Sequence, residues 1–324
     1  MSSVGTLGAA MKVTLDLTTL VASGKLTAPE AERLKGLAAA ETGSMGSNIL
    51  LAFGTVAVAI GAGTLLPTAQ TVIAVGTLLF AVGMALTISK ALRWLLFAQI
   101  VMVIGALGVV GGIMVLSDGS WQINLALAIG LGVAAVAARS GLLSGLAILE
   151  LAVALGSSTA YLHASYFLGV DRPALTIGAL SALTLILFLA SLRVPAVYER
   201  LAIIAARTSI LMINAAFLVG SLFGDDLVKW PPLAFSIGWA VVLLVVGGWA
   251  VVANRRWVVN AAAVFGAIHF YTQWFETLGP SPFSVLGGGI LLIGFGLGLA
   301  WFNKWVGARR DAKLAVGGQA EGSA

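Results

Sequence analysis

The chain has no cysteine and only two histidines, and these shortages exclude several classes of chemistry. Without cysteine there is no disulfide, thiol nucleophile, iron–sulfur cluster or thiolate zinc site. The histidines, His163 and His269, are too far apart in sequence to form a helical pair of metal ligands. Neither a nucleophile-elbow motif nor a complete phosphate-binding loop occurs. The sequence therefore predicts no catalytic residue, no metal and no cofactor, and an enzyme is the least supported class of function.

Charge is also scarce. Charged residues make up 10% of the chain and apolar residues 60%, whereas a soluble domain carries about 25% charged residues. The mean hydropathy is +1.04. A chain of this composition cannot cover its surface with polar groups, so we expect the lipid bilayer to be part of its solvent.

Long apolar runs fill most of the remaining sequence, and a membrane-spanning helix needs about 20 such residues. The runs are too long and too continuous for the alternating strands of a membrane barrel. The sequence therefore predicts an all-α, polytopic transmembrane helical bundle of ten spans. The predicted spans cover residues 48–66, 69–88, 94–116, 121–138, 141–162, 173–191, 201–223, 233–253, 257–276 and 283–302.

The cations of the predicted loops lie almost entirely on one side of the membrane. With ten spans, the side that holds both termini carries fifteen cations, against Arg172 and Lys229 on the other side, while Arg207 falls within a span. The positive-inside rule then places both termini in the cytoplasm. Because the cations line cytoplasmic loops, the net charge of +5 does not predict nucleic-acid binding. The fifteen are Lys12, Lys25, Arg33, Lys35, Lys90, Arg93, Arg139, Arg193, Arg200, Arg255, Arg256, Lys304, Arg309, Arg310 and Lys313.

The tryptophans support the same boundaries. Eight of the nine fall at or near predicted helix ends, where amphipathic rings lie in the membrane interface. Only Trp239 lies well inside a span.

Two cytoplasmic segments flank the predicted membrane domain of residues 48–302. Residues 1–47 predict a short helical hairpin, in which Gly24 ends the first helix and Thr27 and Glu30 have the spacing of a capping box. The hairpin either rests on the bundle or lipid surface, which we favour, or binds a protein partner. Residues 303–324 begin with a basic stretch, and we expect the rest of this tail to be disordered.

Both ends of the chain resemble a known family. The stretch from Leu20 to Leu34 precedes a glycine-rich multi-span region, and residues 255–260 read Arg-Arg-Trp-Val-Val-Asn before an aromatic-rich span. These features are similar to prokaryotic membrane proteins grouped as domain of unknown function 2157. The resemblance implies a bacterial inner-membrane protein with a short cytoplasmic helical segment, and it implies no activity and no site residues.

Three predicted spans carry polar side chains at membrane depth, where ionisable groups are costly and usually face the bundle interior. Glu150 lies near the middle of span 141–162. Its depth resembles that of Arg207, and we therefore expect the two to form an ion pair. The candidate intramembrane polar pathway comprises Glu150, Arg207, Asn214, His269, Gln273 and Glu276.

Two function classes remain open. The first is a carrier or channel for a small solute or ion, because ten spans divide into two halves of five, which suits the inverted halves of many secondary transporters. The second is a membrane scaffold or sensor that acts through its N-terminal hairpin on a protein partner. A hydrated cavity around Glu150 distinguishes the two, since a carrier needs it and a scaffold does not.

Overall fold

A computed structural model describes residues 17–89, 94–162, 165–298 and 300–301. The predicted disordered tail, residues 303–324, lies outside the described residues, as do residues 1–16 of the predicted hairpin. The described chain is almost entirely helical. Its elements are α1 (Leu17–Ala22), α2 (Ala28–Leu65), α3 (Ala69–Ile88), α4 (Leu95–Leu116), α5 (Trp121–Ala138), α6 (Gly141–Ala154), β1 (Ser157–Leu162), β2 (Ser165–Val170), α7 (Pro173–Ser191), α8 (Ala196–Phe223), α9 (Pro232–Val252), α10 (Arg256–Leu278) and α11 (Pro282–Gly298).

Among the described residues, six helices are long and apolar enough to cross a membrane, namely α3, α4, α5, α7, α8 and α9. The bounds of α3, α5 and α7 coincide with the predicted spans. These helices leave many large apolar side chains exposed, such as Leu244 and Phe223. Apolar helices with so much uncovered apolar surface indicate embedding in lipid.

The other four predicted spans are not confirmed. The apolar part of α2 covers Asn48–Gly61, and α6 and α11 are also shorter than the six long helices. The helix α10 has 23 residues, but its second half carries His269, Gln273 and Glu276, which lower its hydropathy. A count of ten spans therefore remains a prediction.

The predicted helix over residues 141–162 is wrong after Ala154. The helix α6 ends at Ala154, and β1 and β2 then form a two-stranded sheet. Leu155 caps the helix, and Gly156 adopts φ 100°. A positive φ of this size is open to glycine and strained for other residues, so the chain leaves the helix at this point.

The predicted N-terminal hairpin is not confirmed as a separate domain. The capping interaction is confirmed, because Glu30 Oε2 accepts hydrogen bonds from the Thr27 backbone N–H at 2.9 Å and from Thr27 Oγ1 at 2.7 Å. The helix that starts there, α2, continues without a break through residue 47 to Leu65. The second arm of the predicted hairpin and the first predicted span are therefore one helix.

The chain divides into two compact units. Unit 1 comprises Met1–Ser158 and Gly178–Met212, and unit 2 comprises Thr159–Ile177 and Ile213–Ala324. Within unit 1, α3 and α4 pack antiparallel with their backbones in contact. A Cβ at Gly76 would lie 2.9 Å from the Gly105 carbonyl oxygen, and one at Gly83 would lie 2.7 Å from the Ala98 carbonyl oxygen. Only glycine allows this approach.

The core of unit 1 lies between α4, α5 and α6. Its buried side chains are Met102, Ala106, Leu131, Ala135, Ala138, Leu143 and Ala147. A polar contact ties α4 to the start of α6, where Ser140 Oγ donates to Gln99 Oε1 at 2.9 Å.

Within unit 2, α8, α9 and α10 bury Trp239, which is fully enclosed. Gly220 of α8 lies directly against the ring of Phe235 of α9. Asp225, in the loop after α8, is also buried. Its carboxylate accepts hydrogen bonds from the backbone N–H groups of Ala174 at 2.9 Å, Leu227 at 2.8 Å and Val228 at 3.2 Å, and so caps the start of α7.

Candidate functional site: two buried polar centres

Glu150 is the first of two polar centres. It lies on α6 in unit 1 with 6% of its surface exposed. Its Oε1 atom is buried and has no hydrogen-bond partner among the described residues. An unpaired buried oxygen is rare, because burial removes its hydrogen bonds to water and costs about 1–3 kcal/mol or more.

A cavity of about 130 Å³ lies beside this carboxyl. It lies between α4, α5 and α6, and every lining side chain other than Glu150 is apolar. The lining residues are Ala106, Leu107, Val110, Leu131, Leu146, Leu149, Glu150 and Val153. A volume of this size is enough for several water molecules, each of which needs about 30 Å³ in the liquid. The cavity thus offers space for a small polar guest next to an oxygen that lacks a partner.

The structure does not bring Glu150 and Arg207 together. The face of α6 that packs on α8 carries Gly141 and Gly145, which lie against Ile204 and Thr208. Glu150 follows Gly141 by nine residues, which at about 100° per residue places it on the opposite side of α6. Arg207 is exposed on α8. The expected ion pair is therefore not formed: Glu150 faces away from the contact between α6 and α8, and Arg207 is exposed.

The second polar centre lies in unit 2 around Trp239 of α9. The indole Nε1 donates a hydrogen bond of 2.8 Å to Asn214 Oδ1 of α8. Phe217 stacks on the indole with ring centroids 6.3 Å apart. His269 of α10 meets the indole edge-to-face, with centroids 4.9 Å apart. Three helices thus contribute side chains to one polar and aromatic cluster.

The same centre contains two buried nitrogens without a partner. His269 Nδ1 and Gln273 Nε2 make no hydrogen bond among the described residues. The two residues are four apart on α10 and therefore lie on one face of the helix. Glu276, one turn further along, is exposed. Of the predicted pathway, Asn214, His269 and Gln273 thus belong to this centre, whereas Glu276 lies at its edge.

Sequence reasoning missed the central residue of this cluster. The sequence shows Trp239 only as the single tryptophan well inside a predicted span. That position, away from the membrane interface, is the feature that could have indicated a buried indole. A buried indole carries one N–H that needs an acceptor, and Asn214 is the acceptor. Among the described residues, no three histidine, aspartate or glutamate side chains cluster as metal ligands.

No family model, curated protein or solved structure matches the chain.

Proposed function

We propose that this protein is an integral membrane carrier or channel for a small solute or ion, with Glu150 in its binding site. The observation that carries the proposal is the buried, unpaired Glu150 oxygen beside a cavity of about 130 Å³. Ionisable side chains at membrane depth usually mark a pathway for an ion or a solute. A scaffold has no need for a cavity beside a buried carboxyl.

The break after α6 supports the same proposal. At 1.5 Å per residue, the 14 residues of α6 extend about 21 Å, which is less than the ~30 Å of the hydrocarbon core. Glu150 lies four residues before this helix ends. Transporters commonly build their sites at interrupted helices of this kind. The short helix, with Glu150 near its end, therefore supports the proposal of a binding site at this carboxyl.

The proposed topology has ten spans, with both termini in the cytoplasm of a bacterial cell and the bundle in the inner membrane. The bias of the loop cations supports it, and so do the six long apolar helices. In this topology α6 runs outward and the sheet of β1 and β2 lies towards the outer side. We also propose that the chain is a member of the family grouped as domain of unknown function 2157, on the resemblance of its two ends.

The topology can be tested at the two ends of α3, because a chain without cysteine is a ready background for single-cysteine labelling. Gln70 and Ser89 are both exposed, at opposite ends of this helix. In intact cells, a membrane-impermeant maleimide should label Gln70→Cys and spare Ser89→Cys until the cells are opened. The reverse pattern would invert the topology, and labelling of both in intact cells would show that α3 does not span the membrane.

A ligand screen tests the function itself. The purified full-length protein is heated in detergent with a panel of metabolites and ions at several pH values. A ligand at 100 times its Kd should add about 2.7 kcal/mol to the free energy of unfolding. The shift should disappear in Glu150→Gln and persist in Glu199→Gln, a matched change at an exposed carboxyl.

The scaffold or sensor is the alternative, and one observation favours it. The helix α2 has 38 residues and extends about 57 Å, roughly twice what the hydrocarbon core requires. Its first turns are exposed and could bind a protein partner. A broad panel in which no ligand shifts the protein would favour this reading. Shifts that survive Glu150→Gln would instead place the ligand site away from Glu150.

A further inference from the structure

We propose that the Glu150 site binds a proton and rejects metal cations, so that the proton is the ion this carrier uses. The inference rests on the proposed function for its claim about transport. The proton site itself follows from the surroundings of Glu150.

Within the part of the chain that the structure describes, no positive charge faces the carboxyl. Glu150 is the only ionisable residue in α3, α4, α5 and α6. The helix α7 has no ionisable residue either, and α8 packs on the other face of α6, where its Arg207 is exposed. An ionised carboxylate without a partner is costly in an apolar interior, and the cost disappears when the group takes up a proton.

A metal cation would find too few oxygen ligands in this cavity. Ca²⁺ needs about six or more oxygens, and K⁺ is held where carbonyl oxygens replace its hydration shell. In the described cavity lining, the only side-chain oxygens are those of Glu150. A proton needs one oxygen and no further ligand.

The backbone carbonyls near Glu150 do not supply the missing oxygen ligands. The lining residues belong to α4, α5 and α6, whose interior carbonyls accept helical hydrogen bonds. At the end of α6, the carbonyls of Leu151 and Ala152 accept from Leu155 N–H at 3.0 Å and 3.2 Å, and the Val153 carbonyl accepts from Gly156 N–H at 2.9 Å. These oxygens are occupied.

The position of Glu150 in its helix points the same way. The carboxyl lies four residues, or about 6 Å, before the carbonyl end of α6. This end of a helix carries a partial negative charge, which disfavours a second negative charge nearby. The carbonyl end of α6 therefore favours the neutral, protonated carboxyl over the ionised one.

A hydrophobic carbodiimide tests the proposal, because it modifies a carboxyl that holds a proton in apolar surroundings. The full-length protein in lipid nanodiscs is treated with dicyclohexylcarbodiimide across a pH series, and the modified residues are located by peptide mass. We expect modification at Glu150. Above the pH at which the carboxyl is mostly ionised, its rate should fall about tenfold per pH unit. Replacing choline by sodium, potassium or magnesium should leave the rate unchanged.

Two outcomes would overturn the proton site. Protection of Glu150 by sodium, potassium or magnesium would make the guest a metal cation. The absence of modification at every pH would mean that the carboxyl is ionised and hydrated. The wild-type peptide map needs no variant, so the test does not depend on the folding of Glu150→Gln, whose expected result is loss of this one modification. Glu199→Gln should keep it.

The outcomes also separate this inference from the proposed function. Modification of Glu150 in a protein that no ligand stabilises would keep the proton site and overturn the carrier. Protection by a metal cation together with a ligand that depends on Glu150 would keep the carrier and overturn the proton as its ion.

Discussion

The indole Nε1 of Trp239 donates a 2.8 Å hydrogen bond to Oδ1 of Asn214, and this bond joins α9 to α8 inside unit 2. Both residues are buried, with Trp239 at 0% and Asn214 at 8% exposed. In an apolar interior the indole N–H has no water as an alternative partner, so it depends on the Asn214 oxygen.

Removing the acceptor should destabilise the protein. Asn214→Leu leaves the Trp239 N–H buried without a partner, at a cost of about 1–3 kcal/mol. Trp239→Phe removes the donor as well, so the double variant should lose less than the sum of the two single variants. Thermal unfolding in detergent measures all three, with Asn260→Leu, at an exposed asparagine of α10, as the control. Strictly additive losses would show that the bond contributes nothing.

The contact between α3 and α4 should not tolerate a methyl group. A Cβ at Gly105 would collide with the backbone of Phe80 and would lie 2.6 Å from the Gly76 carbonyl oxygen. We expect Gly105→Ala to cost about 1–3 kcal/mol, because two backbones must separate. Gly111 lies on the same helix, and a Cβ there would meet no described atom within 4 Å. Gly111→Ala should therefore be neutral or stabilising, and equal losses in both variants would contradict the packing.

The cap that Asp225 provides for α7 predicts a difference between two adjacent aspartates. Asp225 is buried and accepts three backbone hydrogen bonds, whereas Asp226 is exposed. Asp225→Ala should cost about 1.5–3 kcal/mol, the range for a hydrogen bond to a charged group. It should also speed hydrogen exchange at Ala174. If Asp226→Ala has the same effect, the cap is not what stabilises this loop.

The hydrogen bonds that Glu30 accepts should make the stability of the start of α2 depend on pH. The hydrogen bonds from the Thr27 hydroxyl, and then from its backbone N–H, hold the pKa of the Glu30 carboxyl below its ordinary value. Because the pKa is lower in the folded state, the stabilisation is complete above the unfolded value of about 4.3 and is lost as the pH falls through the folded value. We expect the first turn of α2 to fray in acid.

An NMR titration of the Glu30 carboxyl measures this directly. In Thr27→Val the largest cause of the shift is removed, so the pKa of Glu30 should rise towards its ordinary value. An unchanged pKa in that variant would contradict the capping geometry.

Much of the helical architecture could be predicted from the sequence, because long apolar runs specify helices regardless of their neighbours. The bounds of α3, α5 and α7 illustrate this. The end of α6 could not, since a positive φ at Gly156 overrides an apolar pattern that continues beyond it. The chain carries 40 glycines, and their identity alone does not tell which of them will end a helix.

The candidate site was predictable in its residue types and less so in its pairings. The position of a residue along a helix follows from its number, and this alone led us to expect that Glu150 and Arg207 pair. The direction of a side chain around the helix depends on which neighbours pack on each face. Because Gly141 and Gly145 receive α8, Glu150 faces α4 and α5, and no spacing within α6 shows that choice.

The most direct test of the proposed carrier is whether water reaches the cavity beside Glu150. Ala106 of α4 lines this cavity, whereas Ala152 is fully buried on the far side of α6, two residues from Glu150. Single cysteines at these positions can be compared for their reaction with a small, water-soluble methanethiosulfonate, because only a hydrated thiol ionises readily enough to react. The proposed function predicts that Ala106→Cys reacts and Ala152→Cys does not. Two equally inert cysteines would mean that the cavity is dry and would contradict a binding site at Glu150.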